Sequence, residues 1–107
     1  MPRQHEAFVN DIRESIDRID DFTAGMDFEE FQDDQKTFDA VLFNLENIGE
    51  AVKNIPDDFK ADSDIEWSDI AGFRDMTVHQ YFNADPEIVW DIVQNELSEI
   101  KEETQNI

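Results

Sequence analysis

Apolar residues recur at three- and four-residue spacing along most of this chain. Over about residues 3–24 the series is Phe8, Val9, Ile12, Ile16, Ile19 and Phe22, which predicts an amphipathic helix with one apolar face. Gly25 is suited to stop it, because glycine takes the left-handed conformation that ends helices without strain. Asp27 then caps a short helical turn in which Phe28 and Phe31 point inward. A second long helix is predicted over about 34–54, carrying Phe38, Val41, Leu42, Leu45, Ile48 and Val52, with Ile55 next and Pro56 closing it. Gly49 sits beside that stripe, where a missing side chain permits close helix approach.

The stretch from Pro56 to Glu66 is acidic and irregular, a loop with one turn around Phe59. A third helix is predicted over about Trp67–Phe82, with Ile70, Phe73, Thr77 and Tyr81 along one side. Asn83-Ala84-Asp85-Pro86 is the strongest boundary in the chain: Asp85 reads as an N-cap and Pro86 as the first helical residue. The last helix buries Ile88, Val89, Ile92, Val93, Leu97 and Ile100 before a polar tail. No alternating strand pattern and no internal repeat occurs. Four helices with mostly short connections predict an all-α fold, an antiparallel up-and-down four-helix bundle with short extra helical turns. At 107 residues, a single domain spanning 1–107 is expected.

Composition narrows the chemistry. The absence of cysteine excludes disulfides, thiolate metal sites and cysteine nucleophiles. No apolar run approaches the roughly 18 residues of a membrane span, and the N-terminus lacks the apolar core of a secretory signal. A soluble cytoplasmic protein is expected. No carboxylate and histidine spacing marks a metal site, so no metal or cofactor is expected. Paired acids such as Asp33-Asp34, Asp57-Asp58 and Glu102-Glu103 read as solvated surface.

A formal net charge of −20 comes from 28 acidic residues against eight Lys and Arg. Disorder by self-repulsion is one reading, but the clear apolar periodicity, nine Phe and two Trp oppose it. An acidic mimic of nucleic acid is a second. A surface adapted to a salt-rich, halophilic cytoplasm is the third and the favoured one, because the charges decorate ordinary amphipathic helices. At about 1 M salt the Debye length is roughly 3 Å, which screens the repulsion.

Against that background one segment stands out. Between Ala61 and Ile100 there are ten acidic residues, and Arg74 is the only Lys or Arg. His79 follows five positions later and Tyr81 two beyond that. On a regular helix residues five apart diverge by about 140°, whereas Tyr81 returns to within about 20° of Arg74, roughly 10 Å along the axis. Asp75 and His79 are four apart and can touch. Arg74 and His79 can act together if the helix lines a concave seam, or if a two-fold partner brings its own pair across an interface. The second is the more attractive in so small a bundle, so a homodimer is expected.

These residue types suit RNA cleavage without a metal. Imidazole titrates near neutrality, so His79 can deprotonate a ribose 2′-hydroxyl or protonate the leaving 5′-oxygen. Arg74 can hold the phosphate and stabilise its growing charge. Asp75 can orient His79 and favour its charged form, hence the acid role. Tyr81 offers a hydroxyl, a stacking surface or a modification site. The bland reading is a helix-surface ion pair beside a half-buried aromatic, and spacing by itself leaves both open.

A resemblance shifts that balance. The chain resembles the HepT-like HEPN toxins, ribonuclease partners of small MNT-type nucleotidyltransferase antitoxins. The resemblance runs almost end to end. It rests on Phe8–Ile19, on Thr23–Phe31, on Asn-Leu-Glu-Asn-Ile-Gly-Glu-Ala-Val-Lys (Asn44–Lys53) and on Trp-Ser-Asp-Ile-Ala-Gly-Phe-Arg (Trp67–Arg74). His-Gln-Tyr-Phe and Asp-Pro-Glu-Ile-Val-Trp-Asp-Ile-Val (Asp85–Val93) complete it. The resemblance implies a dimeric helical bundle with Arg74 and His79 as ribonuclease residues in a cleft at the dimer interface. It implies further that the antitoxin uses ATP to adenylylate Tyr81, silencing the toxin.

Two positions depart from the family pattern. The family usually has Asn after the Arg, where this chain has Asp75, and Gly after the His, where it has Gln80. Asp75 puts negative charge beside the phosphate site, and the acidic surface opposes RNA approach. A rival reading follows: a non-catalytic HEPN binding or regulatory subunit of a minimal nucleotidyltransferase. A purely structural helical protein would instead leave Arg74 and His79 on open surface.

Overall fold

A computed structural model of the chain describes residues 5–57 and 85–104. Every regular element among them is helical, and the chain is all-α with a HEPN-like bundle architecture. The predicted third helix, Trp67–Phe82, and the loop turn around Phe59 lie outside the described residues.

Helix α1 spans His5–Thr23. It buries Val9, Ile12, Ile16 and Ile19, with Phe8 packed against the core at its edge. Phe22 corrects the expected stripe: it is 41% exposed, while Thr23 is buried in its place. At about 100° per residue, Thr23 falls in line with Ile16 and Ile19, and Phe22 falls to the side. The Thr23 hydroxyl donates to the Ile19 carbonyl at 2.8 Å, so its burial strands no polar group. Gly25 ends the helix as predicted, with φ +77°, a left-handed conformation that favours glycine.

Asp27 opens α2 (Phe28–Asp33) through a capping box. Its carboxylate accepts from the Glu30 N–H at 2.8 Å, and Glu30 accepts from the Asp27 N–H at 3.4 Å. Phe31 is fully buried and Phe28 half-buried. Asp34 both ends α2 and caps α3 (Gln35–Lys53). The whole predicted stripe of α3, from Phe38 to Val52, is buried together with Ile55 and Gly49.

After the second described boundary, Asp85 accepts from the Glu87 N–H at 2.9 Å and Pro86 is the first residue of α4 (Pro86–Asp91). The helix then widens into a π turn over Ile92–Glu96, in which the Leu97 N–H reaches back to the Ile92 carbonyl, before α5 (Leu97–Thr104). Val89, Ile92, Val93, Leu97 and Ile100 are buried as expected, but Ile88 is 54% exposed. Ile88 lies about 200° around the helix from Trp90, and Trp90 is the residue that packs inward. The helix also continues past Ile100, and Thr104 is buried rather than part of a polar tail.

Two long-range contacts orient the bundle. Lys101 pairs with Asp17 at 2.5 Å, and the Arg13 guanidinium donates to the Thr104 carbonyl. Residue numbers rise along one helix as they fall along the other, so α5 runs antiparallel to α1. Between α2, α3 and α4 an aromatic cluster closes the core. Phe31 meets Phe38 edge-on at 5.6 Å, and Trp90 lies 4.9 Å from Phe31 and 6.4 Å from Phe28.

The α3 cap sets one acid-side prediction. Asp34 accepts from the Thr37 N–H at 3.1 Å and from its hydroxyl at 2.8 Å. The Thr37 backbone bond first, and its hydroxyl next, hold the Asp34 carboxyl below its ordinary value. Its stabilisation is therefore present above the unfolded pKa and is lost as pH falls through the lowered folded one. Asp34→Asn is less stable than wild type at neutral pH, and thermal melts should show the gap closing as pH falls below about 4. A gap independent of pH would mean the charge contributes nothing.

Candidate functional site

Arg74, Asp75, His79 and Tyr81 all lie outside the described residues, as does Gln80. Among the described residues, Ile55 is buried just beyond the end of α3, and the Asp85–Pro86 boundary fixes the start of α4.

The described residues are predominantly acidic. Arg13, Arg18, Lys36, Lys53 and Lys101 are the Lys and Arg residues of the described part. Arg13 is engaged at the Thr104 carbonyl, Lys101 at Asp17, and Arg18 lies 3.9 Å from Glu14. These five cations are outnumbered by the acids of α1, α2 and α3. Asp20 is raised above the ordinary carboxyl value, chiefly by burial and then by the neighbouring acids Asp17 and Asp21, with Lys101 opposing.

Among the described residues, two clefts of about 350 Å³ each are formed. One runs between α1 and α3. Phe8, Asp11, Ser15 and Arg18 form one wall, and Asn47, Glu50, Ala51 and Asn54 the other. Its carboxylates make it a poor phosphate groove. The second lies between α2 and the π turn, lined by Phe28, Glu87, Trp90, Asp91, Gln94 and Asn95. Sequence reasoning found neither. Trp90 supplies the aromatic wall of the second. No group of acids and histidines suited to a metal occurs among the described residues. No helix among them is long and apolar enough to cross a membrane.

The family model described as "Ribonuclease HepT-like" matches residues 12–107, a span that includes Arg74, His79 and Tyr81. The chain belongs to the HepT-like ribonuclease family. A protein of Methanocaldococcus jannaschii named "Putative RNase" is 47% identical over 105 residues, covering 95% of this chain and 87% of the relative. "Probable ribonuclease HepT" of Thermococcus cleftensis is 42% identical over 102 residues, covering 94% of this chain and 93% of its own. A "Putative RNase" of Caldanaerobacter subterraneus is 33% identical over 101 residues, covering 94% and 90%. No solved structure matches the chain. HepT-like membership thus extends over nearly the whole sequence, and it agrees with the helical architecture described above.

Proposed function

We propose that this protein is a metal-independent endoribonuclease, the toxin of a toxin–antitoxin pair. The observation that carries the reading is the family match across residues 12–107, which takes in a segment whose lone Arg74, His79 and Tyr81 already suit phosphodiester chemistry. The names of the relatives point the same way for those proteins. In the proposed reaction the ribose 2′-oxygen forms a bond to phosphorus and the 5′-oxygen leaves. His79 moves the proton, from the 2′-hydroxyl or onto the 5′-oxygen. Arg74 holds the phosphate and its growing negative charge, and Asp75 orients His79. The protein uses no cofactor of its own.

The active form is a single-domain homodimer in the cytoplasm, its two copies meeting so that Arg74 and His79 line a shared cleft. Control is by a partner: an MNT-type nucleotidyltransferase antitoxin transfers AMP from ATP to the Tyr81 hydroxyl. Bulk and added negative charge beside the cleft then obstruct RNA phosphate entry. Incubation with the cognate nucleotidyltransferase and ATP should add one AMP mass at Tyr81, and Tyr81→Phe should take up none. Peptide mass spectrometry that placed AMP on another residue would defeat this assignment.

The acidity belongs to the habitat on this reading. Circular dichroism across a salt titration should show folding strengthened as salt rises toward about 1 M. Full stability in very dilute salt would contradict it. The second reading, a non-catalytic regulatory subunit of a nucleotidyltransferase, is favoured by Asp75. It predicts nucleotidyltransferase binding without RNA cleavage.

A further inference from the structure

The cleft between α2 and the π turn has the composition of a site for a flat, uncharged ring. Trp90 is half-buried, held at 4.9 Å from Phe31 and 6.4 Å from Phe28. It is a fixed aromatic platform anchored in the core and lining the cleft. Around it stand two amides, Gln94 and Asn95, and two carboxylates, Glu87 and Asp91. Asn95 Nδ2 donates to Asp91 Oδ1 at 2.6 Å, which steadies Asp91 and leaves its second oxygen to accept from a ligand. The Gln94 and Asn95 positions belong to the π turn itself, an arrangement frequent at functional sites.

Elimination narrows the ligand class. Among the described residues no Lys or Arg lines the cleft, so phosphate and carboxylate ligands meet like charge from Glu87 and Asp91. No metal-binding group occurs among the described residues. A volume of about 350 Å³ lies at the small end of the roughly 300–1,000 Å³ common for ligand pockets. An aromatic wall with amides and carboxylates at its rim suits the faces and edges of a nucleobase. Carboxylates accept from exocyclic amino groups, which adenine and cytosine carry and uracil lacks.

We infer that this cleft is a subsite for one unpaired nucleobase of single-stranded RNA, preferring bases with an exocyclic amino group. That the base belongs to RNA rests on the ribonuclease reading; that the cleft takes a base does not. The test uses the full chain carrying Trp67→Phe, which leaves Trp90 as its single tryptophan, in about 1 M salt to screen phosphate repulsion. Adenosine and cytidine should quench Trp90 fluorescence saturably and uridine more weakly. A short single-stranded 2′-O-methyl RNA, which resists cleavage by its own 2′-oxygen, should quench at lower concentration than the nucleosides. Gln94→Ala and Asp91→Asn, both at exposed positions, should keep the helical dichroism. The first should weaken binding several-fold, and the second should shrink the preference for cytidine over uridine.

Absence of quenching by every nucleoside would overturn the inference, as would quenching unchanged in both variants. Quenching by nucleosides but not by the oligonucleotide would overturn its assignment to RNA. Cleavage at Arg74 and His79 is read separately. An active nuclease with a silent Trp90 removes only the subsite, and a responsive Trp90 on a protein that cuts no RNA removes only the nuclease.

Discussion

His79→Ala and Arg74→Ala should each slow RNA cleavage by roughly 100- to 10,000-fold, the range expected on losing a positioned acid–base group or a charge-stabilising donor. The two losses should differ in kind. Without His79 the proton transfer loses its carrier, so kcat falls while RNA binding changes little. Without Arg74 the sole cation of the Ala61–Ile100 stretch is gone, and both KM and kcat suffer. Asp75→Asn removes a negative charge four residues from His79 and next to the phosphate anchor. Its expected effect is tighter RNA binding, most visible at low salt where screening is weakest. Initial rates on a labelled RNA at several salt concentrations give all three values. Equal rates for wild type and both alanine variants would end the catalytic assignment.

The largest stability effect is expected at Phe31. It is fully buried and sits between Phe38 of α3 and Trp90 of α4, at 5.6 Å and 4.9 Å. Phe31→Ala removes a ring that three helices share, and such truncations cost about 3–5 kcal/mol. Phe43 makes a matched control: it is on α3 but 62% exposed, so Phe43→Ala should stay within about 0.5 kcal/mol of wild type. Denaturant unfolding of both variants at one fixed salt concentration measures the contrast. If the two proved equally stable, the aromatic cluster would not be what fastens α2 and α4 to the core.

Much of this fold was readable from spacing and caps. The α3 stripe, the α1 stripe up to Ile19, Gly25, the Asp27 cap and the Asp85–Pro86 start are local signals. What escaped has mixed causes. Phe22 looked apolar, but helix phase carries Thr23 into line with Ile16 and Ile19, and its hydroxyl is satisfied at the Ile19 carbonyl. Ile88 looked inward until α2 drew Trp90 to the opposite side. The π turn is silent in an apolar pattern, since the four-residue step from buried Val93 to buried Leu97 also fits an ordinary stripe. The Arg13 contact with Thr104 joins residues 91 apart, and no local rule anticipates it. For the candidate site the limits run the other way. Residue types and the family resemblance are what the proposal for Arg74, His79 and Tyr81 rests on, and residues five apart on a regular helix would diverge by about 140°, which is why the proposal includes a second copy.

The central claim is attack by the RNA's own 2′-oxygen with no metal ion. Its most direct measurement incubates wild-type protein, in excess chelator and at high salt, with an RNA and with its fully 2′-O-methylated counterpart. The expected result is cleavage of the RNA alone, leaving a 2′,3′-cyclic phosphate. Cleavage of both, or cleavage abolished by the chelator, would contradict it.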